Sequence, residues 1–378
     1  MVKNKQTYFI TGGGTGGHIY PAVAVADYLH KEGNQIYYIG NPQNLEFEIV
    51  KDYPFLPVDI HGMPRKISFE LVKWSIQLFF AVIKSIGYIK KYNPDLIFGT
   101  GGYVSAPSLI AAKLLGKPFV MHDCDAIPGL VTRKLAPYAK GVSLAFEKAK
   151  QYIKNDNCKI NGNPIRQEFI TLTKEDARKN LGLDNKITLC VMGGSQGAKT
   201  INNATIDAIK TLRTKYDIQI IFQTGKKNFE EAKSKLETVY PEYKGDKNLI
   251  FAPYFENMVT ILKASDIAVS RAGSLSISEL CASEIATIFV PYPHAAADHQ
   301  RKNARVMESN KAGIYIEDAE INPQILISTL SELIEDTDKL FAMQRASKSL
   351  AKLDGIEEIT KQLKMSIKWI IDDIEKII

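Results

Sequence analysis

Gly12-Gly-Gly-Thr-Gly-Gly-His18 lies between an apolar stretch, Tyr8–Ile10, and a helical pattern, Ala22–His30. Glycines at such a junction let the backbone turn sharply and approach a phosphate, while the helix N-terminus adds N–H donors and positive potential. Gly193-Gly-Ser-Gln-Gly197 takes the same position after the strand pattern Thr188–Met192, with Ser195 and Gln196 as small polar groups suited to a diphosphate. In Arg271-Ala-Gly-Ser-Leu-Ser-Ile-Ser-Glu279, Gly273 and Ser274 turn the chain into a helix, with Glu279 in its early turns. A carboxylate there can accept from both ribose hydroxyls while the helix end attracts phosphates. Taken singly, each motif also fits a tight turn with a capping serine or a solvated glutamate.

Several chemistries are disfavoured. Gly12, Gly14 and Gly17 fit G-x-G-x-x-G, but the next strand ends Ile39-Gly40-Asn41-Pro42, without the acid that would hold a nicotinamide dinucleotide's ribose. The chain has no G-x-x-x-x-G-K-[ST], G-x-S-x-G or H-E-x-x-H string. Its cysteines, Cys124, Cys158, Cys190 and Cys281, form no C-x-x-C pair, which argues against a zinc ribbon or disulfide framework and for a reducing compartment. The net charge of +6 is spread along the chain, without a basic arm for nucleic acid. Met1–Lys5 leads straight into a strand without a signal peptide, and no stretch reaches the roughly 18 apolar residues of a spanning helix. The expected compartment is the cytoplasm.

The elements that must carry these loops alternate. Strand patterns Tyr8–Ile10, Gln35–Ile39, Leu96–Phe98 and Phe119–Met121 are separated by glycine turns and helices such as Ser108–Leu115. A second series runs Thr188–Met192, Gln219–Phe222, Leu249–Phe251, Ile267–Val269 and Thr287–Val290. The halves echo each other: Asp95-Leu-Ile-Phe before one glycine turn matches Asp266-Ile-Ala-Val before another. At 378 residues the chain fits two α/β domains, each a doubly wound parallel sheet. The expected division is 1–163 and 164–344, with a hinge near Gly162–Pro164 and helices in 345–378 free to pack back on the first domain. Ligands in such folds bind beyond the carboxyl ends of the strands, so the expectation is a cleft between the domains that gathers the glycine loops.

Six strings in order, GGGTGGH at 12–18, GTGGYVSAP at 99–107, GNPIR at 162–166, GGSQGA at 193–198, SRAGSLSISE at 270–279 and VPYPHAAADHQRKNA at 290–304, resemble the MurG family across nearly the whole chain. That family comprises UDP-N-acetylglucosamine:lipid I N-acetylglucosaminyltransferases of peptidoglycan synthesis. The resemblance implies a GT-B fold of two Rossmann-like domains and metal-independent, cofactor-free, inverting transfer. The donor would be UDP-N-acetylglucosamine, and the acceptor the 4-hydroxyl of N-acetylmuramyl on undecaprenyl diphosphate. Thr15, Gly16 and Gly17, with Gly101, Gly102 and Tyr103, would border donor sugar and acceptor phosphates. Arg166, Ser195 and Gln196 would meet the diphosphate region, Phe255 the uracil through its backbone, and Ser274, Leu275, Ser276, Ile277, Ser278 and Glu279 the phosphate and ribose. Gln300 and Asn303 would hold sugar hydroxyls. One segment departs: where the family shows His-Glu-Gln-Asn, this chain has His122-Asp123-Cys124-Asp125. The Asn contact falls on Asp125, which accepts but does not donate when ionised. Asp123 and Asp125 also spell D-x-D, a metal signature elsewhere.

A general base must take the acceptor proton. His18, at the mouth of the first glycine loop, is the first choice, with His122 and Asp125 in reserve. Other acceptors such as diacylglycerol, a UDP-N-acetylglucosamine 2-epimerase, and a non-catalytic sugar-nucleotide binder remain open at this point. A lipid-linked acceptor implies work at the cytoplasmic face of the cell membrane as a peripheral protein. The segment 67–89 is the candidate contact: Val72, Ile76, Phe79 and Ile83 recur at helical spacing, widened by Trp74, Leu78, Phe80 and Val82. Arg65, Lys66, Lys73, Lys84, Lys90 and Lys91 flank it, a pattern suited to anionic headgroups.

Overall fold

The computed structural model describes residues 5–64, 68–194 and 196–375. Thirteen strands are present among them: β1 Thr7–Thr11, β2 Gln35–Gly40, β3 Phe55–Pro57, β4 Leu96–Gly99, β5 Phe119–Asp123, β6 Gly141–Leu144, β7 Cys158–Ile160, β8 Thr188–Met192, β9 Gln219–Gln223, β10 Leu249–Ala252, β11 Ile267–Ser270, β12 Ala286–Phe289 and β13 Gly313–Tyr315. They form two all-parallel sheets, ordered β3-β2-β1-β4-β5-β6-β7 and β10-β9-β8-β11-β12-β13. In both, the order reverses beside the first strand, which pairs with the strand before it in space and with β4 or β11 on the other side. That reversal is the place where loops from neighbouring strands splay apart and leave room for a ligand.

The internal echo has a physical cause. The Asp95 carboxylate accepts from Thr7 N at 2.7 Å, and Asp95 N donates to Thr7 O at 2.8 Å. The Asp266 carboxylate accepts from Thr188 N, also at 2.8 Å, and Asp266 N donates to Thr188 O. In each sheet one aspartate therefore fixes the register between the two strands that flank the reversal.

The chain divides into two compact units, 1–165 with 352–378, and 166–351. The boundary falls two residues beyond the expected one. The helix Thr337–Ser349 belongs to the second unit, so the return to the first begins at Lys352. Strands β4, β5, β6, β8, β9, β11 and β12 are buried along their whole length, as expected for parallel strands covered on both faces. In the first unit one face packs Tyr8, Ile10, Tyr38 and Phe98 with Val25 and Leu29 of helix Gly16–Lys31. Ile359, Leu363 and Ile367 of helix Gly355–Glu375 complete that layer. The other face packs Phe9, Ile97 and Met121 with Ala81, Val82 and Ile89 of helix Phe69–Tyr92.

The membrane-candidate segment is thereby split. Val82 belongs to the core and Leu78 packs partly against it, whereas Val72, Ile76, Phe79, Phe80 and Ile83, with Phe69 before them, face outward. Trp74 is half-buried and donates its indole N–H to His61 O at 2.8 Å. Arg65, Lys66 and Ile67 lie outside the described residues.

Leu363 is fully buried although it lies some two hundred residues beyond the rest of its unit's sequence. Leu363→Ala should cost about 2–5 kcal/mol, read as a lowered thermal midpoint. An unchanged midpoint would mean that the last helix is not part of that core.

Candidate active site

In the first unit the loop Gly12–Gly17 leaves β1 and enters helix Gly16–Lys31, whose first turn holds His18. The loop leaving β4, Thr100–Tyr103, runs beside it: Thr100 Oγ1 donates to His18 O at 2.6 Å. Gly102 has φ +72°, and a Cβ there would stand 2.6 Å from Gly13 O and 3.0 Å from the His18 ring. Only glycine lets these two turns meet. The His18 imidazole is half-buried against Gly101–Gly102, with Nδ1 3.7 Å from Cys124 Sγ at the end of β5. Thr15 is exposed at the helix start, and Tyr103 OH accepts from Asn44 Nδ2 at 3.0 Å.

Glu46, given no role from sequence, anchors the first loop. It is fully buried and accepts from Gly14 N at 3.1 Å, Asn41 N at 3.1 Å and Asn44 Nδ2 at 3.3 Å. The run Leu45-Glu46-Phe47 after a turn was the available signal, an acid set among apolar neighbours.

The segment after β5 separates its candidates. His122 is fully buried, with Nδ1 3.0 Å from Ser143 Oγ and Nε2 3.1 Å from Asn163 Oδ1. Burial lowers its pKa to about 4, so the ring is neutral at working pH. Asp123 accepts from Asp125 N at 3.2 Å and Gly129 N at 3.0 Å; burial and the neighbouring Asp125 charge push its pKa up to about 7. Asp125 is half-buried. Asp123, Cys124 and Asp125 each offer a ligand atom within 4.8 Å of one another. Both Asp123 carboxylate oxygens already accept a backbone N–H, Oδ1 from Asp125 and Oδ2 from Gly129.

In the second unit, the loop Gly193–Ala198 leaves β8 and meets the turn after β9. Gly197, at φ +77°, would place a Cβ 2.0 Å from Thr224 O, and Gly225 would place one 2.4 Å from Gly197 Cα. Gln223 at the end of β9 links this turn outward: its Nε2 donates to Gly194 O at 3.5 Å, and its Oε1 accepts from Phe255 N at 2.9 Å. The Phe255 N–H is thus engaged by the protein itself. Gln196 is exposed, and its carbonyl accepts from Asn228 Nδ2 at 3.1 Å. Ser195 lies outside the described residues.

Beyond β11 the chain turns at Arg271–Gly273 into helix Ser274–Ala282. Its first i→i−4 bond runs from Ile277 N to Gly273 O, so the N–H groups of Ser274, Leu275 and Ser276 precede the helical ladder, as an anion site requires. Ile277 itself is buried and uses its N–H inside the helix. Ser278 Oγ donates back to Ser274 O at 3.3 Å. Glu279, one turn on and 17% exposed, lies 3.7 Å from the Arg166 guanidinium. Burial raises the Glu279 pKa to about 7 against the lowering effect of Arg166.

Gln300 and Asn303 hold the same turn. Gln300 Oε1 accepts from Ala272 N at 3.3 Å and Tyr292 N at 3.0 Å, while Asn303, fully buried, donates from Nδ2 to Ala272 O at 3.3 Å. Arg271 sits at the centre of this cluster. It ion-pairs with Asp318 and donates to Val290 O at 3.0 Å, Pro291 O at 3.1 Å and Thr200 Oγ1 at 3.3 Å. The roles of Arg271, Asp318 and Gln223 were not legible from spacing, because their partners lie tens of residues away.

The glycosyltransferase family 28 N-terminal domain matches residues 8–144, and the family 28 C-terminal domain matches residues 188–359. A UDP-N-acetylglucosamine--N-acetylmuramyl-(pentapeptide) pyrophosphoryl-undecaprenol N-acetylglucosamine transferase of Desulforamulus reducens is 37% identical, covering 93% of this chain and 96% of its own. The Bacillus subtilis protein of the same name is 35% identical over 92% and 95%. The crystal structure of Acinetobacter baumannii MurG superposes with a TM-score of 0.77 at 25% identity, covering 95% of this chain and 99% of that one. Two parallel sheets of seven and six strands with this strand order make the GT-B fold. Full-length identity above 30% and both domain matches lead to one conclusion: the chain belongs to the MurG family of glycosyltransferase family 28.

Proposed function

We propose that the protein transfers N-acetylglucosamine from UDP-N-acetylglucosamine to the 4-hydroxyl of the N-acetylmuramyl unit of lipid I, with inversion, forming lipid II for peptidoglycan. The observation that carries this is the full-length identity with relatives bearing that name. The geometry supports a division of labour. Helix Ser274–Ala282 turns its N-terminal N–H groups and Ser274 toward the end of the sheet where a diphosphate would lie, with Arg166 adding positive charge against the developing UDP leaving group. Glu279 accepts from the ribose hydroxyls. Gln300 and Asn303 act by shaping the Ala272 turn beside the sugar.

On the acceptor side His18 serves as general base, because it is half-buried beside the two glycine turns. His122 is a neutral clamp between Ser143 and Asn163 and does not take that role. Asp125 remains the second candidate. The reaction needs no metal in this scheme.

Among the described residues no helix is long and apolar enough to cross a membrane. Contact with the cytoplasmic membrane surface is assigned to the outward face of helix Phe69–Tyr92, where Phe69 is 73%, Phe80 63% and Phe79 61% exposed. Lys73, over the Phe69 ring at 5.2 Å, and Lys84 border this face. Aromatic side chains rimmed by lysines suit an anionic bilayer.

Labelled N-acetylglucosamine should pass to lipid I, not to diacylglycerol, and should do so with EDTA present. Preference for diacylglycerol, or loss of activity in EDTA with rescue by manganese, would overturn the acceptor or the metal-free chemistry respectively.

The Glu279 carboxyl carries its proton below about pH 7 and is ionised above it. Ribose binding uses the ionised form, so UDP affinity of the wild type should rise between pH 6 and 8 relative to Glu279→Gln, and Glu279→Ala should lose about 1.5–3 kcal/mol at pH 8. Parallel pH curves for wild type and Glu279→Gln in calorimetry would remove Glu279 from the ribose site.

The wild type should co-sediment with vesicles containing anionic lipid at low salt, and Lys73→Glu with Lys84→Glu should weaken this, as should high salt. Failure of the wild type to sediment would refute membrane contact through this face.

A further inference from the structure

The chain between β12 and helix His299–Ser309 ends in a turn that its side chains do not favour. Ala297 has φ +51° and Asp298 φ +58°, both left-handed, and neither is glycine. Aspartate tolerates this region, whereas an alanine Cβ there crowds the following carbonyl oxygen. Such a backbone persists when the bonds around it hold it in place. Lys302 Nζ donates to Ala297 O at 2.6 Å and Asp298 N donates to Ala295 O at 3.0 Å, both local to the turn. Arg301 ties the turn to a distant element. Its Nη1 donates to Asp298 Oδ2, its Nε to Tyr315 OH and its Nη2 to Glu317 Oε2, each at 3.1 Å. Nε also lies 3.1 Å from Glu317 Oε1, so the guanidinium grips that carboxylate side-on through two nitrogens. Tyr315 is the last residue of β13, the edge strand of the second sheet, and the Arg305 guanidinium covers its ring at 3.6 Å.

We propose that Arg301 is a positioning residue for the sugar half of the donor: by fastening Asp298 to the edge of the sheet at Tyr315 and Glu317, it keeps the 297–298 turn left-handed and thereby sets Gln300. This rests on the reading that the Ala272 turn lies beside the donor sugar. Asp298 directly precedes helix His299–Ser309, and Gln300 stands in the first turn of that helix. Gln300 Oε1 accepts from both Ala272 N and Tyr292 N, joining the turn after β11 to the start of the loop after β12. A backbone that relaxes to negative φ at 297–298 swings the first turn of the helix, and one oxygen shared between two N–H groups cannot follow that movement and keep both. Arg301 is 40% exposed, so its ion pairs are screened and add little to global stability. Their effect is geometric. A planar fork with three partners in fixed directions sets the turn, which the point charge of a lysine on its flexible stem does only in part. The nucleotide contacts proposed above, from Arg166, Glu279 and helix Ser274–Ala282, lie on other segments of the chain.

The test is calorimetry of the full-length protein with UDP and with UDP-N-acetylglucosamine, the thermal midpoint of each variant being measured alongside. Arg301→Met keeps the stem and removes the fork. It should weaken UDP-N-acetylglucosamine about tenfold and change UDP by less than about twofold, and in turnover with lipid I it should raise donor KM more than it lowers kcat. Arg301→Lys should fall between wild type and Arg301→Met, and supplies the same comparison from a variant that keeps the charge. Adding Ala297→Gly to Arg301→Met should recover most of the lost affinity, because glycine takes the left-handed turn without being held there. That recovery separates positioning from direct contact between Arg301 and the sugar. Unchanged UDP-N-acetylglucosamine affinity in Arg301→Met, an equal loss for UDP and UDP-N-acetylglucosamine, or no recovery in the double variant overturns the proposal. Gln300→Ala reports on the reading beneath it. If that variant prefers UDP-N-acetylglucosamine over UDP as the wild type does, the sugar site lies elsewhere and both readings fall. A changed preference in Gln300→Ala with none in Arg301→Met removes the role of Arg301 alone.

Discussion

Close approach of backbone to backbone at the carboxyl ends of the strands is the constraint on which both units depend. A parallel sheet delivers every strand-leaving turn to one edge, and at the reversal the turn after the first strand must lie against a neighbouring turn. There is no room for a side chain between them. Gly102 against Gly13 O in the first unit, and Gly197 with Gly225 in the second, meet at distances that a Cβ would reduce to 2.0–2.6 Å. Once the turns are locked together, the helices that follow start at fixed points. His18, in the first turn of such a helix, inherits its position from that packing.

Buried charge is handled differently in the two halves. Glu46 is fully enclosed and satisfied by two backbone N–H groups and an amide, so it acts as a fixed internal strut for the first glycine loop. Arg271 plays the corresponding part in the second unit, gathering two carbonyls, a hydroxyl and Asp318. Glu279 is the contrast: 17% exposed and 3.7 Å from the Arg166 guanidinium, its pKa is raised to about 7 by burial against the lowering effect of Arg166.

The segment after β5 shows how one stretch of four residues can be divided by the sheet. Extended strands send alternate side chains to opposite faces, and here the strand is also ending. His122 goes into the core and pairs with Ser143 of β6, Asp123 folds over the following turn, and Cys124 reaches His18. A D-x-D string read linearly suggests a shared metal site. The folded chain gives its two carboxylates unequal surroundings, one buried and holding backbone, the other half-buried.

The sequence alone determined the class of fold, the strands and the location of the turns, because hydrophobic runs and glycine placement are local signals that each segment carries within itself. It also carried the duplication, since Asp95 and Asp266 mark equivalent strand entries. Strands β3, β7 and β13, three residues each, escaped it as too short for a pattern, and so did β6, whose four residues Gly-Val-Ser-Leu carry only two apolar side chains. Tertiary structure alone decided which candidate side chains are tied up by the protein itself. His122 and Asn303 look like ligand contacts in a linear motif, and both are buried and bonded to the protein's own backbone or side chains. Glu46, Gln223 and Asp318 look unremarkable, and each fixes a turn at the sheet edge. The physical reason is that a side chain's role follows from which hydrogen-bonding groups remain unspent after folding, and that depends on partners brought together from distant parts of the chain.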